Sequence, residues 1–311
     1  MADYPFTSWF DFLERFPDEA ACYRHMLDMR FGPVRACPRC GSGKRLSATG
    51  RLRSLYCPHC DLVVSATAGT LAGHSRIGLW NWFYLMLLIA NRTTGMPVDA
   101  VARQLGVSRL AAYRMLCLVR MHIARLQEAD RGPVGGPGVV VEIDETWLPG
   151  VLPDNAGASS GAIVFGIYGQ RGIHTQGIAD RKATTLMTII KDVVQPGSII
   201  VTDGHRSYHG LRALGFEHIA LNHRRGEWAR AGYSTARIES YWTSLKYFLR
   251  SHNRTVARNT LHLYLAENAF RHNRRKGGEN MFEALIARFP AIDRALLPKG
   301  AMPLGRGRPG R

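Results

Sequence analysis

Two aspartates and one glutamate in the second half of the chain have the residue types and surroundings of a metal site. Asp144 and Asp203 each end an apolar, strand-like run, in VVVEIDETW and SIIVTDGH, and Glu239 lies near the start of the helix predicted for STARIESYWTSLK. Carboxylate oxygens are the ligands that Mg²⁺ prefers, and two such ions can activate an attacking oxygen and stabilise a leaving one. The three acids therefore predict a two-metal phosphoryl-transfer site for Mg²⁺ or Mn²⁺.

Each acid taken singly also has an interpretation without metal, as a turn aspartate or an exposed helix residue. Glu142 shares the strand face of Asp144 by the two-residue period, so it is either an accessory acid or the true ligand, whereas Glu145 faces the other way. Lys246 follows Glu239 by seven residues, nearly two helical turns, and lies on the same helix face. There it would reach a phosphate of bound DNA.

The elements that must position these acids follow the order of a ribonuclease-H-like α/β domain, a mixed sheet flanked by helices. The predicted strands are 139–144, 161–169, 175–179, 198–202 and 218–221, and the predicted helices are 184–194, 208–214 and the one that carries Glu239. In this order the first and fourth strands can lie side by side, which brings Asp144 next to Asp203. The last helix can then cross the sheet and add Glu239.

Four cysteines form a second ligand set in the first half of the chain. Cys37 and Cys40 make one Cys-x-x-Cys pair, and Cys57 and Cys60 make another after an interval of sixteen residues. Two such pairs with no βαβ pattern around them favour a four-thiolate zinc site over a redox motif. One structural Zn²⁺ would hold a small zinc ribbon, which has too little core to fold without metal.

The segment from Pro97 to Leu126 fits a helix-turn-helix. Its first helix runs from about Val98 to Leu105, Gly106 supplies the turn, and Ser108 caps the second helix. In that arrangement Arg109 and Arg114 would face the major groove of DNA. A helical hairpin that merely links two domains is the alternative.

Composition points to a polyanionic partner. The 311 residues carry a formal net charge of +17, and residues 222–276, which include Arg250, hold twelve Lys and Arg against three Asp and Glu. The apolar run from Leu79 to Ala90 is too short to span a bilayer, and the N-terminus has no signal-peptide pattern. We therefore expect a cytoplasmic, nucleoid-associated protein that binds double-stranded DNA, with Arg250 among the contacts, and no membrane partner.

Composition shifts divide the chain into six predicted regions. They are a helical N-terminal cover (1–35), a zinc ribbon (36–75), a helix-turn-helix region (76–131), a Gly- and Pro-rich linker (132–138), a catalytic domain (139–290) and a basic tail expected to be disordered (291–311).

Together these motifs resemble the DDE transposases of bacterial insertion sequences, in the ISXO2-like group with an N-terminal zinc ribbon. The resemblance is carried by FPDEAACYRHMLDMRFG leading to CPRCGS, then CPHC, VEIDETW, VTDGHRSY, IESYWTSLK and YLAENAFRHNRR, and covers about residues 10 to 285. It implies that Asp144, Asp203 and Glu239 bind divalent metal and that Lys246 matches the lysine that follows the glutamate in this family. It also implies terminal inverted repeats as substrate.

The chain departs from this family at Ala236, where members tend to have Asn. Alanine cannot cap a helix, so Ser234 or Thr235 must do so.

The predicted activity is metal-dependent cleavage at insertion-sequence ends followed by strand transfer into target DNA, by a dimer or larger homo-oligomer that pairs two ends. Two alternatives are a non-catalytic zinc-ribbon and helix-turn-helix regulator, and a structure-selective nuclease of the same fold.

Overall fold

The computed structural model describes residues 6–32, 36–42, 46–48, 53–92, 94–153, 160–251 and 256–293. The chain divides into two compact units, Met1–Leu126 with Gly278–Lys299 and Gln127–Gly277 with Gly300–Arg311. Most of the predicted basic tail, residues 294–311, lies outside the described residues.

The described residues form nine α-helices and fourteen strands. The helices are α1 (Trp9–Arg15), α2 (Glu19–Phe31), α3 (Leu79–Asn91), α4 (Val98–Leu105), α5 (Arg109–Ala129), α6 (Ala183–Val193), α7 (Ala236–Arg250), α8 (Leu261–Gly277) and α9 (Met281–Ile286). The strands are β1 (Ser47–Ala48), β2 (Ser54–Tyr56), β3 (Val63–Ser65), β4 (Val134–Gly135), β5 (Val140–Leu148), β6 (Val151–Leu152), β7 (Ala162–Gly169), β8 (Gly172–Ile178), β9 (Val194–Gln195), β10 (Ile199–Thr202), β11 (Glu217–Ala220), β12 (Ala229–Arg230), β13 (Tyr233–Ser234) and β14 (Val256–Ala257).

The first unit joins a small antiparallel sheet, in the order β1-β2-β3, to a set of helices. Asp18 caps α2 by accepting from the Ala21 amide at 2.7 Å. Glu19 then caps α3, because its carboxylate accepts from the amides of Leu79 and Trp80 at 2.7 and 2.9 Å. Helix α3 is apolar on nearly every side and mostly buried. In the described part of the chain, no helix is both long and apolar enough to cross a membrane.

The second unit is built on a five-stranded sheet in the order β11-β10-β5-β7-β8. Strands β5, β10 and β11 run parallel, whereas β7 is antiparallel to both β5 and β8. This mixed order, with helices on both faces, is the ribonuclease-H-like arrangement that the sequence predicts. Alternate residues of β7 face opposite ways: Val164 and Tyr168 join the core beneath α7 and α8, and Phe165 and Ile167 join the core beneath α6.

The structure differs from the predicted elements at three places. Strand β5 continues to Leu148, so Asp144 lies within a strand instead of ending one. The predicted helix at 208–214 is two short 3-10 turns, Arg206–Tyr208 and Arg212–Leu214. The predicted linker at 132–138 contains β4, which pairs with β9. The Gly136 amide there donates to Ser198 Oγ at 2.8 Å, so backbone hydrogen bonds hold this segment to the second unit.

Candidate active site

Asp144 and Asp203 lie on neighbouring strands of the central sheet. The parallel pairing of β5 and β10 sets Val201 beside Glu142. Continuing this register by two residues places Asp203, which follows β10, beside Asp144. Both lie on the sheet face covered by α7. The predicted contact between the first and fourth strands is therefore confirmed, and it is what brings the two aspartates to one place.

The surroundings of Asp144 disfavour a negative charge. Its pKa is raised to about 7, mainly by burial; the hydrogen bond from Trp242 opposes this rise, and the charges of Glu145 and Asp203 add to it. A divalent cation would reverse the shift, because a nearby positive charge favours the carboxylate form. The setting of Asp144 therefore fits a cation ligand.

Trp242 ties helix α7 to the strand that carries Asp144. Its indole Nε1 donates to Asp144 Oδ2 at 2.9 Å. The ring can lie this close to the sheet because Gly166 is the residue opposite Asp144 on β7. A Cβ on Gly166 would come within 2.6 Å of the Trp242 ring, so a larger residue there would push α7 away.

Glu142 caps helix α7 from the sheet. Its buried carboxylate accepts from Arg237 Nε at 2.5 Å and from the Ile238 amide at 3.0 Å. Thr235 occupies the cap position but makes no capping hydrogen bond with its side chain. The expectation that Ser234 or Thr235 caps this helix is therefore wrong: a glutamate 96 residues away satisfies the Ile238 amide instead.

Glu239 lies in the first turn of α7 with its side chain 41% exposed. Its Oε1 accepts from Thr235 Oγ1 at 2.7 Å and lies 3.7 Å from His223 Nε2. Since Trp242 is one turn further along the same helix, the contact with Asp144 places Glu239 on the side of the sheet where both aspartates lie.

The loop after Asp203 turns back sharply. Asp203 Oδ1 accepts from the His205 amide at 2.9 Å, and Gly204 between them has a φ of +76°. Glycine adopts this left-handed backbone at little cost. It also leaves room for the Leu221 carbonyl oxygen, which a Cβ at this position would approach to 3.2 Å. The aspartate is thus fixed by its own loop while remaining partly exposed.

Glu145 points to the opposite sheet face, as its place in the strand predicts. Its buried carboxylate accepts from the Tyr208 hydroxyl and from Arg181 Nε, the latter at 2.8 Å. Burial, together with the adjacent Glu145 charge, raises the pKa of Tyr208 well above its usual range. The hydroxyl therefore remains a donor to Glu145.

Lys246 and Arg250 lie on helix α7, further along the chain than Glu239. Lys246 is half-buried and Arg250 is exposed in the last turn of α7. Ile238, Trp242 and Leu245 form an apolar stripe along α7, and all three are buried.

The three carboxylates fit a hard divalent cation by donor type, although they do not close into a tight cluster. Among the described residues, the four cysteines are the one set of three or more such side chains whose ligand atoms lie within 4.8 Å of one another. Like charges repel when nothing neutralises them, and Glu239 bonds to Thr235 instead. Ligation of a metal by Asp144, Asp203 and Glu239 stays a prediction.

The cysteine cluster is already assembled. Cys37 Sγ lies 3.6 Å from Cys60 Sγ, and Cys40 Sγ lies 3.8 Å from Cys57 Sγ. The backbone amide of Cys40 contributes most to lowering the pKa of Cys37, to about 6, which favours the thiolate that a metal needs. The cluster has the ligand number and type of a structural Zn²⁺ site.

Two matching turns hold these cysteines. Gly41 and Asp61 follow the second cysteine of each pair with positive φ angles of 63° and 57°. Their amides donate to the carbonyls of Cys37 and Cys57 at 2.9 and 3.0 Å. Each pair is therefore shaped by a turn within five residues of chain.

The helix-turn-helix has the predicted boundaries. Helix α4 ends at Gly106, whose φ is 62°, and Ser108 Oγ accepts from the Ala111 amide at 3.2 Å to cap α5. Arg109 forms an exposed ion pair with Asp99 at 2.9 Å, and Arg114 is exposed. At 21 residues, α5 is much longer than a minimal recognition helix.

Two contacts that position the acids are not among those expected from the sequence. Glu142, expected to be a ligand or an accessory acid, bonds to α7, and Trp242 donates to Asp144. A signal was available in each case: Glu142 lies one strand period before Asp144, and Trp242 lies one helical turn after Glu239.

Comparison with solved structures gives only weak matches. The chain is 13% identical to the Mos1 strand transfer complex, with a TM-score of 0.26. The match covers 63% of this chain and 76% of the Mos1 chain. A pre-cleavage Mos1 transpososome is 12% identical with a TM-score of 0.22, and covers 59% of this chain and 73% of that one. The fold assignment rests on the strand order described above.

Comparison of sequences is more informative. A family model for the ISXO2-like transposase domain matches residues 134–273, and one for a transposase zinc-ribbon domain matches residues 17–63. A transposase-like protein of Haemophilus influenzae is 31% identical over 101 residues, which are 32% of this chain and 80% of that protein. The resemblance is thereby confirmed, and the chain belongs to the ISXO2-like transposase family.

Proposed function

We propose that this protein cleaves DNA at the ends of an insertion sequence and joins the freed ends to target DNA. The observation that carries the proposal is the parallel register that sets Asp203 beside Asp144. Membership of a transposase family supports DNA as the substrate, as does the net charge of +17.

Asp144, Asp203 and Glu239 are the proposed ligands of Mg²⁺ or Mn²⁺. Divalent cations held there would polarise the phosphodiester and lower the pKa of the attacking water. The chain's own part is to hold the ligands in place: Trp242 orients Asp144, and Glu142 fixes the helix that carries Glu239. In the second step the freed 3′-OH attacks target DNA directly, with no covalent link to the protein.

Contacts to DNA outside the site are proposed for two regions. Arg109 and Arg114 at the start of α5 would read the element's ends, and Lys246 and Arg250 on α7 would hold the backbone near the acids. Two ends must be joined in one event, so we expect a dimer or larger assembly. Replacing Arg114 by Gln should weaken binding to the element's ends by about tenfold and reduce the preference for those ends over unrelated DNA.

The test is a cleavage and joining assay on a plasmid that carries the element's ends, with Mg²⁺ present. Asp203→Asn should reduce both nicked ends and joined products by about 100-fold or more, because it removes a charged ligand. Asp192→Asn is the matched control, since Asp192 is 74% exposed on α6. Wild-type nicking by Asp203→Asn would show the assignment to be wrong.

The same assay separates the two alternatives. A regulator would bind the ends and cleave nothing at any Mg²⁺ concentration. A structure-selective nuclease would cut branched DNA lacking the ends and would yield no joined product.

A further inference from the structure

Two arginines are tied to β5 on opposite sides of Asp144. On the face of α7, Arg237 Nε donates to Glu142 Oε1 at 2.5 Å; on the face of α6, Arg181 Nε donates to Glu145 Oε1 at 2.8 Å. The two glutamate side chains are 3% and 1% exposed, whereas both arginine side chains are 43% exposed. Each pair thus joins a buried acid to a half-exposed base.

The second oxygen of each glutamate is also occupied. Glu142 Oε2 accepts from the Ile238 amide, and Glu145 Oε2 accepts from the Tyr208 hydroxyl. Each glutamate thus accepts from one other donor, the Ile238 amide or the Tyr208 hydroxyl, and from its arginine through Nε alone. Within the described residues, the terminal nitrogens of both guanidinium groups make no hydrogen bond, so four N–H donors remain on each.

Both arginines also make a second contact. The Arg181 carbonyl accepts from Ser207 Oγ at 2.6 Å, in the loop that follows Asp203, and Arg181 is close enough to Asp203 for their charges to attract. Arg237 lies two residues before Glu239 in α7, and its guanidinium is 5.0 Å from the centre of the Tyr168 ring. The two arginines are thus fixed on opposite faces of the sheet, beside the strand that carries Asp144.

We propose that Arg181 and Arg237 form a phosphate clamp, in which each arginine holds its glutamate through Nε and binds a DNA phosphate through its terminal nitrogens. A guanidinium presents a planar pair of donors that matches phosphate oxygens. Among the described residues each arginine forms its ion pair with its buried glutamate and none with Asp144 or Asp203, so the clamp need not compete for the metal ligands. The inference rests on the proposed function in taking DNA as the ligand.

A plainer role, neutralising two buried carboxylates, predicts a different outcome when each pair is removed as a unit. The double variants Glu145→Gln/Arg181→Gln and Glu142→Gln/Arg237→Gln leave the net charge unchanged and leave no buried charge unpaired. The control is Asp192→Asn/Arg131→Gln, which removes an exposed ion pair of 3.2 Å whose arginine is likewise 43% exposed. If neutralisation were the whole role, all three double variants would bind DNA alike.

The measurement is the affinity of the full chain for an end-bearing DNA duplex across 50 to 300 mM KCl, without divalent ions. Each clamp variant should bind about tenfold more weakly, and the slope of log K against log salt should fall by about 0.9. The control pair should change neither. Clamp variants with the wild-type slope would overturn the proposal.

A second measurement needs no variant and therefore does not depend on correct folding of one. Phenylglyoxal should modify Arg181 and Arg237 in the wild-type chain, and the same duplex should protect both while leaving Arg131 reactive. Absence of protection would overturn the clamp. Because both experiments omit divalent ions, a chain that shows the clamp but never cleaves would refute the proposed function alone.

Discussion

The cysteine cluster and the proposed carboxylate site are assembled over different lengths of chain. The four cysteines come in two pairs, each shaped by one turn, and their sulfur atoms already lie within 4.8 Å of one another. The three carboxylates come from β5, from the loop after β10 and from α7, so their meeting depends on sheet register and on how one helix is attached. A site built from local turns can be recognised from spacing alone, whereas a site built across a sheet depends on contacts that spacing does not encode.

Both sets contain groups whose charge is disfavoured: burial raises the pKa of Cys60 to about 12 and that of Asp144 to about 7. They differ in what surrounds them, because the ribbon has little core of its own whereas the carboxylates lie on a five-stranded sheet. We therefore expect the ribbon to need its metal in order to fold and the carboxylate site to fold without one, at some cost in stability.

The largest effect should follow loss of zinc. Cys57→Ser should abolish stoichiometric zinc and unfold the ribbon, because metal binding supplies on the order of 10 kcal/mol to such small units. Cys22→Ala, at a buried cysteine outside the cluster, should keep one zinc per chain. Metal analysis and hydrogen exchange of β2 and β3 would measure both. A ribbon that stays folded without zinc would show that the two sites do not differ in their need for metal.

A smaller effect of opposite sign is expected at Asp144. Its pKa is about 7 when folded and ordinarily about 3.9 when unfolded, so the folded chain holds a proton that the unfolded chain releases. Without divalent ions, the contribution of Asp144 to wild-type stability should therefore fall as pH rises from about 4 to 7 and stay low above that. Asp144→Asn should remove this dependence and stabilise the second unit at pH 8 by on the order of 4 kcal/mol.

The check is urea unfolding of the zinc-loaded chain at pH 4.5 and pH 8, followed by hydrogen exchange of β5. At pH 4.5 the two proteins should have similar stability. Destabilisation by Asp144→Asn at pH 8 would contradict the charge strain inferred for this site.

The smallest of the three effects concerns the attachment of α7. Glu142→Gln keeps the shape of the side chain but weakens its bonds to Arg237 and Ile238, which should cost about 2 kcal/mol. Hydrogen exchange should become faster in α7 while the ribbon is unaffected. Equal protection of α7 in variant and wild type would mean that Trp242 alone secures the helix.

Much of this fold follows from local pattern. The boundaries of α4 follow from local residues such as Gly106, and the order of elements in the second unit predicts that β5 and β10 lie side by side. The length of β5 was missed because acids at Asp144 and Glu145 interrupt its apolar run. Both acids are tolerated there because a tryptophan donates to one and an arginine to the other, and such partners lie far away in the sequence.

The cap of α7 shows the same limit. Ala236 signals that a local cap is missing, but nothing near it reveals that Glu142 supplies one from the sheet. The segment 132–138 misled for a related reason, since glycines that suggest a linker instead allow β4 to fit closely beside Ser198.

The most direct test of the central claim is to measure Mn²⁺ binding by electron paramagnetic resonance, using the zinc-loaded chain with end-bearing DNA bound. We expect Asp144→Asn, Asp203→Asn and Glu239→Gln each to weaken Mn²⁺ binding by about tenfold or more, and Asp192→Asn to leave it unchanged. Wild-type Mn²⁺ affinity in the Asp203→Asn protein would contradict the claim that these three acids form one metal site.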